Sequence, residues 1–183
     1  EPDFADQLDT LLERYQQVEP AKLTLELLET SALEDLYRVA QAMNACQRLG
    51  VRFSIDDFGT GYASLTYLKA LPTDELKVDK SFVQDLLINP QSLAILESVV
   101  GMGRAFDLDI IAEGMERDEE AIALLGLGYE YAQGFHIARP MPASDVIDWK
   151  NQWLPSPHWS QIEPLEKNQL ALLTAATEHR DRK

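Results

Sequence analysis

The stretch SIDDFGTGYASL, residues 54–65, decides how this chain is read. An apolar run, residues 51–55, leads straight into two adjacent carboxylates, Asp56 and Asp57, and two glycines, Gly59 and Gly61, follow. A short apolar run closed by turn residues reads as a buried β-strand with a sharp turn behind it. Negative charge at the end of a buried strand is costly unless a cation, a partner group or a turn takes it up. The strand end is therefore the first place to look for chemistry.

Working outward, residues 33–49 have helical periodicity and stop at Gly50, and residues 23–28 form a short apolar strand bearing Glu26. Before them an opening helix, with Phe4, Leu8, Leu11, Leu12 and Tyr15 at helical spacing, ends at Pro20. On the other side a third strand is expected at 76–78 and a short helix at 81–87. Asn89 and Pro90 then cap and start a helix. A fourth strand follows at 110–112, a helix at 119–127 ending near Gly128, and a fifth strand at 129–132. Ser144 is placed to cap a helix running through Trp153. Alternating strands and helices predict parallel strands with helical crossovers, an α/β fold. Pro155, Pro157 and Pro164 break the pattern, so residues 155–164 read as a linker or surface strap, followed by a polar-faced helix at 165–179.

The totals narrow the function classes. The chain has 183 residues, 45% of them apolar, enough for one domain with a sizeable core. No apolar run approaches the ~18 residues that read as a membrane span. The single cysteine, Cys46, falls on a helix and reads as a small core residue in a reducing compartment. A net charge of −15 disfavours a nucleic-acid polymer or an anionic membrane as partner. It leaves room for a small phosphate ligand bridged by cations.

The strand ends share one feature. Glu26 and Glu29 stand at the first, Asp56 and Asp57 at the second, Lys77 and Asp79 at the third, Glu113 and Glu116 at the fourth, Gln133 at the fifth. Taken singly, each has an ordinary explanation: Glu29, Asp118 and Glu119 suit a helix N-terminus, Asp57 suits a turn, and Lys77 suits an ion pair. Taken together, several carboxylates and a lysine at consecutive strand ends call for a shared electrostatic cause. A divalent-metal site with hard oxygen ligands supplies one. On barrel strands these positions would meet at the C-terminal mouth. The three histidines lack zinc spacing, and neither a nucleophile elbow nor a Walker-type glycine loop is present.

Four ordered motifs carry a family resemblance: LELLETSALED (25–35), DDFGTGYASLTYLKALPTDELKVDKSFV (56–83), IIAEGMER (110–117) and QGFHIARPMP (133–142). Residues 4–153 resemble the EAL family of cyclic di-GMP phosphodiesterases. The resemblance implies a TIM-like (β/α) barrel and hydrolysis of cyclic di-GMP to linear pGpG with two Mg²⁺ or Mn²⁺ ions. Glu26, Asp56 and Asp57 look like metal ligands, Asp56 bridging two ions. Glu113 resembles the residue that activates or positions water, and Lys77 the one that positions water or holds the phosphate. Asp79, Glu116 and Gln133 are similar to substrate-side or outer positions, and Glu29 to the anchor of the DDFGTG loop. The resemblance further implies a homodimer in the bacterial cytoplasm, the parent protein being membrane-anchored elsewhere if at all.

The Glu-Ala-Leu stretch that names the family, and an Asn ligand that follows it, do not occur in this sequence. A TIM barrel typically runs to ~250 residues, and residues 1–154 supply about five strand–helix units. The expectation is therefore the C-terminal portion of an EAL-type barrel at 1–154, with 155–183 as linker and helix. On that expectation the 183 residues alone are inactive and the parent is the enzyme. The other readings are a catalytically inactive cyclic di-GMP sensor or a dimerisation module.

Overall fold

The computed structural model describes residues 3–29, 35–61 and 65–162, with the side chains of 65–67 set aside. The helix expected at 165–179 lies outside these residues, as does part of the LELLETSALED motif. Five strands alternate with helices along the chain, the pattern of an incomplete TIM-like (β/α) barrel. The chain divides into two compact units, Glu1–Asp79 with Met102–Asp109, and Lys80–Gly101 with Ile110–Lys183.

In the first unit, α1 (Phe4–Arg14) precedes β1 (Thr24–Leu28), α2 (Leu36–Gln47), β2 (Arg52–Phe58), α3 (Leu65–Ala70) and β3 (Glu75–Val78). β1 pairs with β2 and β2 with β3, all parallel. Alternation gives these strands two unlike faces. Leu25, Leu27, Phe53, Ile55, Leu76 and Val78 occupy one, and Ile55, Leu76 and Val78 are fully buried. Met43 and Cys46 of α2 join that core, and burial pushes the Cys46 thiol above its ordinary pKa. Each fully buried Leu or Ile contributes about 1.5–3 kcal/mol relative to exposure.

The other face is polar. Arg52 lies 3.0 Å from Glu75 and 2.7 Å from Asp109, and the Thr24 hydroxyl donates to Glu75 at 3.4 Å. One layer further along the strands stand Glu26, Ser54, Asp56 and Lys77. Asp74 closes the base of the unit by accepting the Phe53 N–H at 2.8 Å.

The second unit holds α4 (Lys80–Asp85), α5 (Pro90–Phe106, its last turn shared with the first unit), β4 (Asp109–Ala112), α6 (Asp118–Leu127), β5 (Tyr131–Ala132) and α7 (Val146–Gln152). Asn89 caps α5 as expected, accepting the Gln91 N–H at 3.0 Å. β4 and β5 are parallel, with Ile111 opposite Tyr131 and Ala112 opposite Ala132. Leu96, Val99, Met115, Ala121 and Leu124 form the core around Tyr129, whose hydroxyl donates to the Leu96 carbonyl at 3.0 Å. Burial raises the Tyr129 pKa.

Two expectations shift. β2 does not stop before the two carboxylates but runs through them to Phe58, because a bulge absorbs the turn. Ser144 does not cap α7: a 3-10 turn at Ala143–Asp145 intervenes, and its hydroxyl donates instead to Asp145. Residues 155–162 pack on α6 through Trp159 and Ser156, both bonded to Asp118. Among the described residues no helix is long and apolar enough to cross a membrane.

Candidate metal and phosphodiester site

The centre of the first unit's site is the bulge in β2. Ile55 pairs with Leu76 and Phe58 with Val78, so three steps along β2 face two along β3. The extra residue is accommodated by Asp57 in the left-handed region, at φ 56°. A regular strand would send neighbouring side chains to opposite faces. Here Asp56 and Asp57 each offer a carboxylate oxygen within 4.8 Å of the other.

Lys77 supplies the positive charge at this point. Its side chain is 9% exposed, and its Nζ lies 3.0 Å from Glu26 Oε1 and 3.1 Å from Asp56 Oδ1. A buried ammonium without partners would be costly, and two carboxylates offset that cost. The sequence placed Glu26 and Asp56 at strand ends. The structure puts both within their strands, two residues short of the last, and joins them through Lys77.

Glu29 is 1% exposed just beyond β1, and its Oε2 accepts the Gly59 N–H at 2.9 Å. The carboxylate also lies where a Cβ on Gly61 would fall. It therefore ties the turn after β2 to the end of β1. Asp79 follows β3, its N–H reaching the Phe58 carbonyl at 3.4 Å.

In the second unit, Glu113 follows β4 and Gln133 follows β5. The strand pairing brings them together: the Gln133 N–H donates to Ala112 O at 2.8 Å, and the Gln133 side-chain amide donates to Glu113 Oε1. Glu116 is exposed, with the Gln84 amide 3.5 Å from its Oε1. These residues line a cavity of about 480 Å³ that also draws on Lys80, Phe135 and Arg139. The Arg139 guanidinium sits over the Phe135 ring at 4.6 Å. Periodicity gave no sign of that pair, because both residues lie beyond the last strand. The buried carboxylate Glu120 was not singled out in the sequence, and its partner Arg117 entered only as the last residue of IIAEGMER.

Glu26, Asp56 and Asp57 supply only carboxylate oxygens, the donor set that Mg²⁺ and Mn²⁺ take. With Lys77 among them, the first unit's site matches clustered anionic oxygens to positive charge. That chemistry suits a cation-bridged phosphate.

The comparisons agree with the motifs. The EAL domain family model matches residues 1–140. The bifunctional diguanylate cyclase/cyclic di-GMP phosphodiesterase MucR of Pseudomonas aeruginosa is 42% identical over 130 residues, 71% of this chain and 19% of that protein. The structure of the PaMucR phosphodiesterase in complex with c-di-GMP superposes with a TM-score of 0.75 at 40% identity, over 79% of this chain and 58% of that one. The manganese and cyclic di-GMP complex of Klebsiella pneumoniae BlrP1 gives 0.70 at 33%, over 76% of this chain and 35% of that one. The chain thus spans about a fifth of the length of its MucR relative. Matched over three quarters of its own length, the chain belongs to the EAL domain family.

Proposed function

We propose that the protein of which these residues form part hydrolyses cyclic di-GMP to linear pGpG, using Mg²⁺ or Mn²⁺. The observation that carries this reading is the β2 bulge, which turns two consecutive aspartates toward one another beside Glu26 and Lys77. The c-di-GMP and manganese complexes of relatives that share the fold support the substrate and the metal. Glu26, Asp56 and Asp57 would hold the cations. Bound there, the cations would offset the charge of the phosphodiester and lower the pKa of a bound water, making its hydroxide available as the nucleophile.

The chain's own residues do the rest. Lys77 holds a phosphate oxygen or positions the water, its ammonium already kept in place by Glu26 and Asp56. Glu113 orients the attacking water and takes its proton, with Gln133 fixing the carboxylate through its amide. Asp79 and Glu116 shape the surroundings, and Glu29 holds the turn after β2. Residues 1–154 form the EAL part, with the strap at 155–162 following it. The reaction belongs to the bacterial cytoplasm, with a second copy of the chain as partner.

The test is a pGpG assay on the full-length protein with and without Mn²⁺. Turnover should require the metal, and Asp56→Asn should reduce kcat by about a thousandfold or more, since it removes a charge from the set that would hold the cations and from the partner of Lys77. Metal-independent turnover, or an active Asp56→Asn, would overturn the reading. Tight binding of cyclic di-GMP by the wild type without pGpG would make the protein a sensor.

A further inference from the structure

The loop that carries Glu113 is gripped by a carboxylate for which the proposed chemistry has no use. Glu120, the third residue of α6, is 1% exposed. Its Oε2 accepts the Arg117 N–H at 3.1 Å and, one residue further back, the Glu116 N–H at 2.8 Å. Its Oε1 takes Arg117 Nε at 2.7 Å and Nη2 at 2.6 Å. A capping carboxylate at this helix position ordinarily serves the N-cap N–H alone. This one reaches past the cap into the loop. Arg117 carries the grip onward, with its Nη2 3.4 Å from the Gln84 carbonyl at the end of α4.

The opposite side of the loop is equally fixed. The Met115 N–H donates to Gln133 O, and Met115 O accepts the His136 N–H, both at 3.1 Å. Gly114 turns at φ 73° against Lys80, whose Cβ would meet any side chain placed there. Glu113 stands between the end of β4 and the first N–H that Glu120 holds. With residues 115, 116 and 117 all bonded, little freedom remains in the direction of its carboxylate.

We propose that Glu120 is a positioning residue for Glu113. This rests on the reading of Glu113 as the group that orients water, and adds how that orientation is kept. Without the Glu120 oxygen, two consecutive N–H groups lose their partner, and the loop gains freedom three residues from the reacting carboxylate. Substrate affinity, carried by other residues, changes little. A shift of about 1 Å in a reacting group costs on the order of a hundredfold in rate.

The experiment measures kcat and KM for cyclic di-GMP with Mn²⁺ in the full-length protein and in Glu120→Ala, Glu120→Asp, Glu120→Gln and Glu113→Gln. Thermal unfolding and circular dichroism normalise each to its folded fraction. Glu120→Ala and Glu120→Asp should lower kcat by about tenfold to a hundredfold with KM within about threefold, because the shorter aspartate withdraws its oxygen from residue 116. Glu120→Gln keeps an oxygen for both N–H groups but sets its NH2 against the Arg117 guanidinium, so it should lose less kcat than Glu120→Asp, staying within about tenfold of wild type. A residue that only caps a helix would lower the unfolding temperature and leave kcat per folded molecule unchanged. That result in Glu120→Asp, the variant closest to the native fold, overturns the proposal even if Glu120→Ala does not fold. A fully active Glu113→Gln would instead overturn the reading of Glu113, and the positioning role with it.

Discussion

Asp57 shows at the scale of one residue how far a motif can be read. Two adjacent aspartates after an apolar run announce charge at a strand end, but strand alternation alone would separate them onto opposite faces. Only the bulge, with Asp57 at φ 56°, turns both carboxylates toward one another. The extra residue depends on the register with β3, which the sequence of β2 does not contain. Aspartate and asparagine tolerate this backbone region better than other side chains. Asp57→Asn should therefore move the unfolding free energy by less than about 0.5 kcal/mol. The Mn²⁺ concentration for half-maximal activity should rise by about tenfold, since the affinity of such sites follows ligand charge. A denaturant titration beside a metal titration checks both halves. Gly134 is a second case. A Cβ there would overlap the backbone of Met115. Backbone cannot yield as a side-chain tip can, so Gly134→Ala should cost about 2–4 kcal/mol, read from the shift in urea midpoint.

At the scale of elements, the five strands were legible because each is a short run set between stretches of helical periodicity. The pairing of Lys77 with Glu26 and Asp56 was not. It joins three strands from distant parts of the chain, and only their register brings the groups within 3.1 Å. The prolines marked residues 155–164 as a linker or surface strap but not what holds it, and in the described part both Ser156 and Trp159 bond to Asp118. Burial works against the charge of Asp118. The Trp159 indole at 2.7 Å, the Ser156 hydroxyl at 3.4 Å and His136 more than offset it, leaving its carboxyl below the ordinary value of 3.8. The sign follows from linkage. A carboxylate whose pKa is lower folded than unfolded contributes stability above the unfolded value and loses it as pH falls through the folded one. The strap should therefore stay docked at pH 5 and above. It should loosen only below the ordinary carboxylate range, with Trp159 emission moving to longer wavelength. Asp118→Asn should show the same emission shift at neutral pH or none of the acid transition. An unchanged acid transition in that variant would place the pin elsewhere.

At the scale of the whole molecule, strand edges matter more than any single contact. Among the described residues β1 pairs only with β2, and β5 only with β4. Their outer edges present unpaired N–H and C=O groups, which recruit further strands unless covered or blunted. β1 is poorly blunted. It is five residues of TLELL with Leu28 48% exposed, and its one charged side chain, Glu26, is turned toward Lys77. β5 is only two residues long, a weaker template, although its Tyr131 is 49% exposed. The net charge of −15 opposes association at long range but is screened beyond about 8 Å at physiological salt. Strand pairing acts well inside that distance. The 183-residue chain purified alone should therefore self-associate through β1, more strongly as salt is raised. Light scattering at 0.05 and 0.5 M NaCl would report the mass. Leu28→Lys, which puts a charge on the exposed edge, should shift the population toward monomer. A folded monomer at both salt concentrations would show that the β1 edge is already covered.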